Sequence, residues 1–399
     1  TGNYSGLETG NISGSESLET VAITAGAEAD VDVGTIADGT NLSSLTVTAS
    51  GINAAVTVDE VGESTAAIPT TLTFAASNGA DIDYSDAASA ADITFSENIT
   101  TYSVSATGSG STVAAGQLSG NDLTVTTMSL TAADGGSIDM EAATDDQIDY
   151  LPKSMTISTS GTGSSFVGAG FTYDAGALAA TESSISIDAE GASSSIMLDG
   201  GVLGGVEVDL ISIDVGSYAT LDFAGDGADT NTNEVSDTLS AITATGHVGE
   251  LAVNLDDYAT LDLNNEANAE STGDTTTITG TYFTTVDIDF GSNVTHEGDA
   301  LFIADSGESD SEVAIENLQI NVSEQGSSAI IVTTAAGDLL TIGGTSMIHV
   351  TDDDQAESSY YAGAIDIEGG TGDVTVTLDA EVLEADLLVV AGTAEAFGS

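Results

Sequence analysis

The chain has 399 residues, of which 65 are acidic, and Lys153 is its single strongly basic side chain, so the formal net charge is −64. Because phosphate groups are bound mainly by Lys and Arg, this balance argues against nucleic acid and anionic membrane surfaces as partners. Cysteine is absent, which excludes disulfides and thiolate metal sites.

The composition supports a folded core, but one made of small aliphatic side chains. Hydrophobic residues make up 41% of the sequence, which argues against disorder caused by a lack of apolar material. Aromatic residues make up only 5%, and Trp is absent. Val, Ile, Leu and Ala therefore have to form the interior, with Thr and Ser outside, and this suits thin stacked strands better than a wide core.

The N-terminal part of the sequence changes from an irregular segment to a strand pattern. Residues 1–20 are rich in Gly, Ser, Asn, Thr and Glu, and we expect a flexible arm or one that pairs with a partner. Residues 21–144 form a first series of alternating runs. In the clearest run Leu45, Val47 and Ala49 share one face, and a Gly-containing corner leads to Val56 and Val58.

The rest of the sequence contains a second series of the same kind. Residues 145–184 include Pro152 and Lys153 and are expected to be a break between two lobes or a long loop. Residues 185–373 resume the pattern, and the pentapeptide Tyr-Ala-Thr-Leu-Asp occurs at Tyr218 and again 40 positions later (258 − 218). Residues 374–399 are expected to form terminal strands or a cap. Periods of this size are typical of repeat architectures.

Two all-β architectures fit these runs, and no long amphipathic helix is predicted. In a parallel β-helix, or β-solenoid, each unit is one coil, and similar strands stack from coil to coil with irregular loops at the corners. In tandem β-sandwich domains the same runs pair as antiparallel hairpins. The frequent pairs of short strands around small-residue corners, with only two prolines, favour the β-helix.

The abundant carboxylates predict calcium binding. Calcium takes six to eight oxygen ligands from carboxylates, amides and backbone carbonyls, and three loops are dense in such groups. None of them has the spacing of an EF-hand. The candidate ligands are Asp226, Asp229, Asn231, Asn233 and Glu234 in the first loop, Asp352, Asp353 and Asp354 in the second, and Glu308, Asp310 and Glu312 in the third.

Signals for an enzyme are weak, and we predict that the protein is not one. His247, His296 and His349 are isolated in sequence, without metal-ligand spacing. No Gly-x-Ser-x-Gly elbow lies in a strand–turn–helix context. A polysaccharide lyase on a β-helix usually needs a basic catalytic residue and a basic cleft, and this chain has one Lys and no Arg.

The Cys-free, Lys/Arg-poor texture, with units such as Leu123-Thr-Val-Thr and Leu72-Thr-Phe-Ala-Ala-Ser-Asn-Gly-Ala, resembles prokaryotic surface-layer proteins and related β-solenoid surface proteins. The resemblance implies an extracellular or cell-surface structural protein that self-assembles into a lattice or filament with the help of calcium. It also implies a homo-oligomer. No uninterrupted apolar run reaches the roughly 18 residues of a membrane span, so we expect no membrane insertion. A cell-surface glycan is expected as a further partner. The alternative is an adhesin stalk or a ligand-binding cell-surface module.

Overall fold

The structure is a computed structural model, and it contains β-strands without any helix in the residues that it describes. The chain divides into two compact units, which are described separately. The N-terminal unit comprises residues 1–179 and 190–199, and the C-terminal unit comprises residues 180–189 and 200–399. The described residues are 5–13, 19–37, 42–59, 70–84, 93–94, 100–115, 118–119, 125–140, 147–148, 152–171, 183–203, 207–222, 242–243, 247–255, 260–262, 277–279, 282–290, 295–297, 301–304, 312–322, 330–332, 339–342, 345–350, 365–368, 373–378 and 389–391.

The first half of the described chain alternates longer and shorter strands. These strands are β1 (Ser5–Thr9), β2 (Ile12–Ser13), β3 (Thr20–Ala25), β4 (Ala29–Val33), β5 (Ile36–Ala37), β6 (Ser44–Ser50), β7 (Ala55–Val58), β8 (Thr71–Ser77), β9 (Asp81–Asp83), β10 (Ile93–Thr94), β11 (Thr101–Thr107), β12 (Thr112–Ala114), β13 (Leu118–Ser119), β14 (Thr127–Ala133), β15 (Ser137–Met140), β16 (Gln147–Ile148), β17 (Ser154–Ser160) and β18 (Ser165–Phe171).

The second half continues with strands of two to eleven residues. These strands are β19 (Ser183–Ala189), β20 (Ser195–Leu203), β21 (Glu207–Val215), β22 (Thr220–Asp222), β23 (Ile242–Thr243), β24 (His247–Leu255), β25 (Thr260–Asp262), β26 (Thr277–Thr279), β27 (Tyr282–Phe290), β28 (Thr295–Glu297), β29 (Leu301–Ala304), β30 (Glu312–Val322), β31 (Ile330–Val332), β32 (Leu339–Ile342), β33 (Thr345–Val350), β34 (Ile365–Glu368), β35 (Asp373–Leu378) and β36 (Val389–Ala391).

The N-terminal unit is a parallel β-solenoid. Its first side is the ladder β3–β6–β8–β11–β14–β17. Its second side is the ladder β1–β4–β7–β9–β12–β15–β18. Short pairs, β2 with β5 and β10 with β13, follow the second side in some coils. Each described pairing is parallel, which confirms the predicted β-solenoid and argues against antiparallel sandwiches in this part of the chain.

The predicted alternation places the core correctly. Leu45, Val47 and Ala49 are fully buried, and the intervening Thr and Ser side chains face outward. Parallel register carries each inward position from coil to coil, so that side chains of one kind stack in columns. One column is entirely alanine at Ala25, Ala49, Ala76, Ala106 and Ala132. It ends at Thr159, whose buried Oγ1 has no hydrogen-bond partner.

An aromatic cluster links the two sides inside the solenoid. The rings of Phe74 and Tyr84 stack with centroids 4.3 Å apart, and Tyr102 meets Phe74 edge-on at 6.4 Å. The hydroxyl groups of Tyr84 and Tyr102 form a short hydrogen bond with each other. Burial is the main reason why the pKa of both phenols is raised above the usual value. The pair therefore satisfies two polar groups that would otherwise be stranded in an apolar core.

The corners between the two sides are tight turns with left-handed residues. In the corner Gly108–Ser111 the amide of Ser111 donates to the carbonyl of Gly108, and both Gly108 and Gly110 have positive φ. The buried Ser111 hydroxyl accepts from the amide of Gly79 (3.0 Å) and donates to the carbonyl of Thr107 (2.8 Å). A corner serine therefore satisfies an amide of the preceding coil.

A second corner has the same form but lacks these bonds. Ser194 donates its amide to the carbonyl of Gly191, as Ser111 does to Gly108. Its side chain is equally buried, at 1% exposure, but Ser194 Oγ has no hydrogen-bond partner. The two serines thus form a natural matched pair for testing the corner bonds.

The structure describes parts of the two segments, residues 1–20 and 145–184, in which the sequence predicts an arm and a break or long loop. Residues 5–13 of the predicted arm form β1 and β2, and β1 pairs with β4. Residues 145–184 contain β16, β17, β18 and the first two residues of β19. One predicted strand is displaced: Val125 and Thr126 of the Leu123-Thr-Val-Thr run precede β14, which begins at Thr127 and carries Met128, Leu130 and Ala132 inward.

The C-terminal unit is also built from parallel ladders. One runs β19–β21–β24–β27–β30–β33–β35, with β32 pairing with the first part of β30. A second is β22–β25–β28, and a third is β23–β26–β29–β31–β34–β36. The two copies of the repeated pentapeptide meet here, because Thr220–Asp222 pairs in register with Thr260–Asp262. The predicted repeat is therefore a coil-to-coil repeat.

Candidate binding face

The predicted calcium ligands fall almost entirely outside the described residues. Asp226, Asp229, Asn231, Asn233, Glu234, Asp352, Asp353, Asp354, Glu308 and Asp310 all lie there. Glu312 is the first residue of β30 and pairs with Leu339. Within the described ranges, no group of three or more His, Cys, Asp or Glu residues could hold a metal ion. The three calcium loops stay predictions.

The most regular surface in the N-terminal unit is the outward face of its first side, which we call the hydroxyl face. It has 23 outward positions on six strands: 11 Thr, 9 Ser and 3 Ala, with no charged residue. They are Thr20, Ala22 and Thr24; Ser44, Thr46, Thr48 and Ser50; Thr71, Thr73, Ala75 and Ser77; Thr101, Ser103, Ser105 and Thr107; Thr127, Ser129, Thr131 and Ala133; and Ser154, Thr156, Ser158 and Ser160. In a chain of net charge −64, so large a neutral area is a departure from the average surface.

The register makes the hydroxyl face a two-dimensional array. The five pairings between its strands proceed without a register shift, so outward residues stack directly, as in the column Thr46–Thr73–Ser103–Ser129–Thr156. Neighbouring members of a column are about 4.8 Å apart, and the next outward residue along a strand is about 6.6 Å away. The face therefore presents hydroxyl groups on a nearly rectangular grid.

The outward residues of the face are partly or fully exposed to solvent. None of the 23 outward positions is buried, whereas the inward positions between them are. Within the face, the hydroxyl of Ser158 donates to that of Thr131 at 3.3 Å. Along the margin of the face, the hydroxyls of Ser43, Thr70 and Thr100 donate to carbonyls of the preceding coil at 2.8–2.9 Å. The margin is thus tied to the backbone, and the centre offers donors and acceptors outward.

From β4 onward, the second side of the same unit carries charge in a spaced pattern. Asp30 and Asp81 lie in one outward column, separated by Ala55. In the adjacent column Glu8 and Asp32 are direct neighbours on β1 and β4. Further along it, Asp32, Asp83 and Asp139 are separated in turn by Thr57 and Ala114. Like charges directly opposite each other destabilise a sheet, and the neutral residue doubles their spacing to about 9.6 Å, near the Debye length of physiological salt.

A neutral residue in these columns also contributes a hydrogen bond. The hydroxyl of Thr112, which follows Asp81 in its column, donates to the Asp81 carboxylate. In the C-terminal unit Asp188 and Asp214 are direct neighbours on β19 and β21, so the ladder that contains these strands carries charge. The hydroxyl face is therefore a property of one side of the N-terminal unit.

Sequence reasoning placed Thr and Ser outside the core but did not recognise them as a site. Each strand contributes only three or four outward residues, and these look like ordinary solvated positions. The signal that could have revealed the face is the absence of Asp and Glu from every outward position between Thr20 and Ser160 on the first-side strands. That signal is visible only once the strands have been aligned.

No helix in the described ranges is long and apolar enough to cross a membrane. No protein-family model, curated protein or solved structure matches the chain.

Proposed function

We propose that the protein is a non-catalytic structural subunit of a cell surface, which assembles end to end into a filament or lattice with the help of divalent cations. The observation that carries the proposal is the N-terminal edge of the solenoid. There β1 pairs with β4, and Leu7 of β1 is 56% exposed although its register partner Val31 is buried. An exposed apolar strand edge is a template for pairing with another strand.

The first coil shows that the core is incompletely covered at this edge. Val21 and Ile23 of β3, like Val31 of β4, retain 7–8% exposure, whereas inward residues of the later coils are close to zero. One more coil stacked on this end would cover Leu7 and these side chains. We propose that a strand of a second copy supplies it, so that the ladder continues from one subunit to the next.

The charge of the chain explains why cations enter the proposal. At −64, two copies repel each other at low salt, and this repulsion is weakened by screening or by bound cations. Calcium is the expected ion because carboxylate and carbonyl oxygens are its preferred ligands. The proposed location is extracellular, with a cell-surface glycan as a further partner, in keeping with the resemblance to surface-layer proteins.

Electron microscopy and light scattering of the purified chain test the proposal. We expect filaments or sheets when calcium is added and disassembly when a chelator removes it. Leu7→Lys should suppress assembly, because it places a charge on the apolar edge. Ile52→Lys is the control, since Ile52 is 69% exposed at a corner between β6 and β7. Monomers under all salt and calcium conditions, or equal effects of the two variants, would refute end-to-end assembly.

A second function, a surface module that binds a ligand, is favoured by the hydroxyl face. An assembly contact through strand edges makes no use of this face. We therefore attribute the regular arrangement and the lack of charge of the hydroxyl face to a ligand that it binds.

A further inference from the structure

The hydroxyl face has a chemistry that restricts what it can bind. Its outward residues are Ser, Thr and Ala, so it offers hydrogen-bond donors and acceptors together with methyl groups, but no charge and no aromatic ring. A charged ligand finds no opposite charge there with which to pair, and a sugar ring finds no aromatic surface on which to stack. The complementary partner is neutral, forms hydrogen bonds in both directions and repeats regularly.

The area of the face argues against a second copy as the partner. Six strands at about 4.8 Å and seven residues at about 3.3 Å cover on the order of 500 Å². A stable protein interface buries roughly 800 Å² on each partner and has an apolar centre. The hydroxyl face falls short in area and offers small polar groups at its centre, so two such faces would not hold together.

The order of the face favours a partner that is itself a lattice. The side chains are fixed on the grid by unshifted parallel register through five strand pairs. Threonine is restricted at χ1, so its hydroxyl and methyl groups occupy defined positions before anything binds. A surface whose polar groups are already in place loses little entropy when it orders a layer of water. Two oxygens that are hydrogen-bonded to the same water in a tetrahedral network lie about 4.5 Å apart, because each O–H···O bond is about 2.8 Å long. The repeat of about 4.8 Å between strands is close to that distance.

We propose that the hydroxyl face binds crystalline water, so that the protein adsorbs to ice. The hydroxyl groups hydrogen-bond to water molecules at the ice surface, and the threonine methyl groups and alanines occupy the spaces between them. The acidic second side faces away from the ice, where its carboxylates stay in liquid water. The inference does not rest on end-to-end assembly, because one solenoid carries the complete face.

The direct test is uptake of the protein into growing ice. The full chain, isolated as a monomer by size-exclusion chromatography in chelator, is exposed to slowly growing polycrystalline ice, and its concentration is compared in ice and residual liquid. Recrystallisation of fine-grained ice and the shape of single crystals are recorded in the same buffer. We expect enrichment in ice, slower recrystallisation and faceted crystals. Exclusion from ice together with ordinary crystal growth would overturn the proposal.

Matched variants show whether the hydroxyl face is responsible. Thr73→Tyr and Ser103→Tyr place a large ring at the centre of the face, at outward positions of β8 and β11. Thr57→Tyr places the same ring on the outward surface of β7, on the second side. Tyrosine is compatible with strands, and an unchanged melting temperature and circular dichroism spectrum verify folding.

The two face variants should lose ice uptake, falling to the level of an inert acidic protein, while Thr57→Tyr keeps the uptake of the unchanged chain. Equal loss in all three, or no loss in the face variants, would show that another surface binds. Thr73→Val provides a finer probe, because it keeps the methyl group of threonine and replaces the hydroxyl with a second methyl of similar size. Undiminished uptake by a variant carrying Val at Thr46, Thr73, Thr131 and Thr156 would contradict the role of the hydroxyl groups.

Discussion

The two sides of the N-terminal solenoid have the same kind of inward residues but different outward residues. Both bury alternating aliphatic side chains, as Val47 does on the first side and Val56 on the second. Outward, the first side bears hydroxyl groups without charge, whereas the second bears carboxylates that from β4 onward are separated by neutral residues. Core packing demands only the inward pattern. Core packing therefore does not explain the outward difference. We attribute the uncharged surface of the first side to a contact that it makes, and the spacing of carboxylates on the second side to their mutual repulsion.

The largest expected effect comes from breaking the corner that joins the sides. A Cβ added at Gly136 would lie 2.2 Å from the carbonyl oxygen of Ala106 on the neighbouring coil. Gly136→Ala should therefore destabilise the unit by roughly 3 kcal/mol or more, in the range of severe steric disruption. Urea unfolding followed by circular dichroism measures the change.

Gly26→Ala is the control for this corner. A Cβ at Gly26 meets nothing within 4 Å, and its φ is not among the positive ones. We expect a change within about 0.5 kcal/mol, as for surface substitutions without special features. If the two variants lost similar stability, close packing of coils at the Gly136 corner would not be the cause.

The next effect tests the tyrosine pair that connects the sides internally. Tyr102→Phe removes one hydroxyl and leaves the buried Tyr84 hydroxyl without its partner, which should cost about 1–3 kcal/mol. The double variant Tyr84→Phe/Tyr102→Phe removes both polar groups and should recover most of the loss. Denaturant unfolding of the unchanged chain, the single variants Tyr84→Phe and Tyr102→Phe, and the double variant gives the coupling, and additive losses would argue against a shared bond.

The same pair predicts an alkaline limit to stability. The pKa of each phenol is raised in the folded state, mainly by burial, so the neutral form is favoured by folding. The stabilisation is fully present below the unfolded pKa of about 10 and declines as the pH rises above it. Melting temperatures between pH 8 and 12 should fall less steeply for the double Phe variant. Parallel curves would contradict the prediction.

A smaller effect separates the two corner serines. Ser111→Ala leaves the Gly79 amide without its acceptor and should cost about 1–2 kcal/mol. Ser194→Ala removes a buried hydroxyl that has no hydrogen-bond partner, so it should be neutral or slightly stabilising. Both are measured by unfolding at equilibrium, and a reversed order would mean that the bond to Gly79 does not stabilise the corner.

The smallest effect concerns charge spacing on the second side. Ala114→Asp places a carboxylate between Asp83 and Asp139 and should cost about 0.2–1 kcal/mol at low salt. Thr131→Asp has Ser105 and Ser158 as neighbours and should cost less. High salt should remove the difference between them, because it screens the repulsion. A difference that persists in concentrated salt would assign the cost to packing instead.

The fold could be predicted from alternation and composition, but the candidate face could not. Leu45, Val47 and Ala49 show their common face in a single strand, and the Tyr218 and Tyr258 repeats show that coils recur. The hydroxyl face needs the register between strands: Thr73 and Ser103 are thirty positions apart (103 − 73) and become neighbours only through parallel pairing. Sequence reasoning looked instead for local acidic loops, because metal ligands can be recognised within one segment.

The alanine column described above has a consequence for how such a protein can change its length. Ala49, Ala76, Ala106 and Ala132 occupy the same position in successive coils. At this position each coil therefore packs on its neighbour through the same type of side chain. A gene segment encoding one coil could be duplicated or lost, and the flanking coils would still meet alanine against alanine. The hydroxyl face would then gain or lose one strand for each coil. Its area could therefore change during evolution without a change in the packing of the remaining coils.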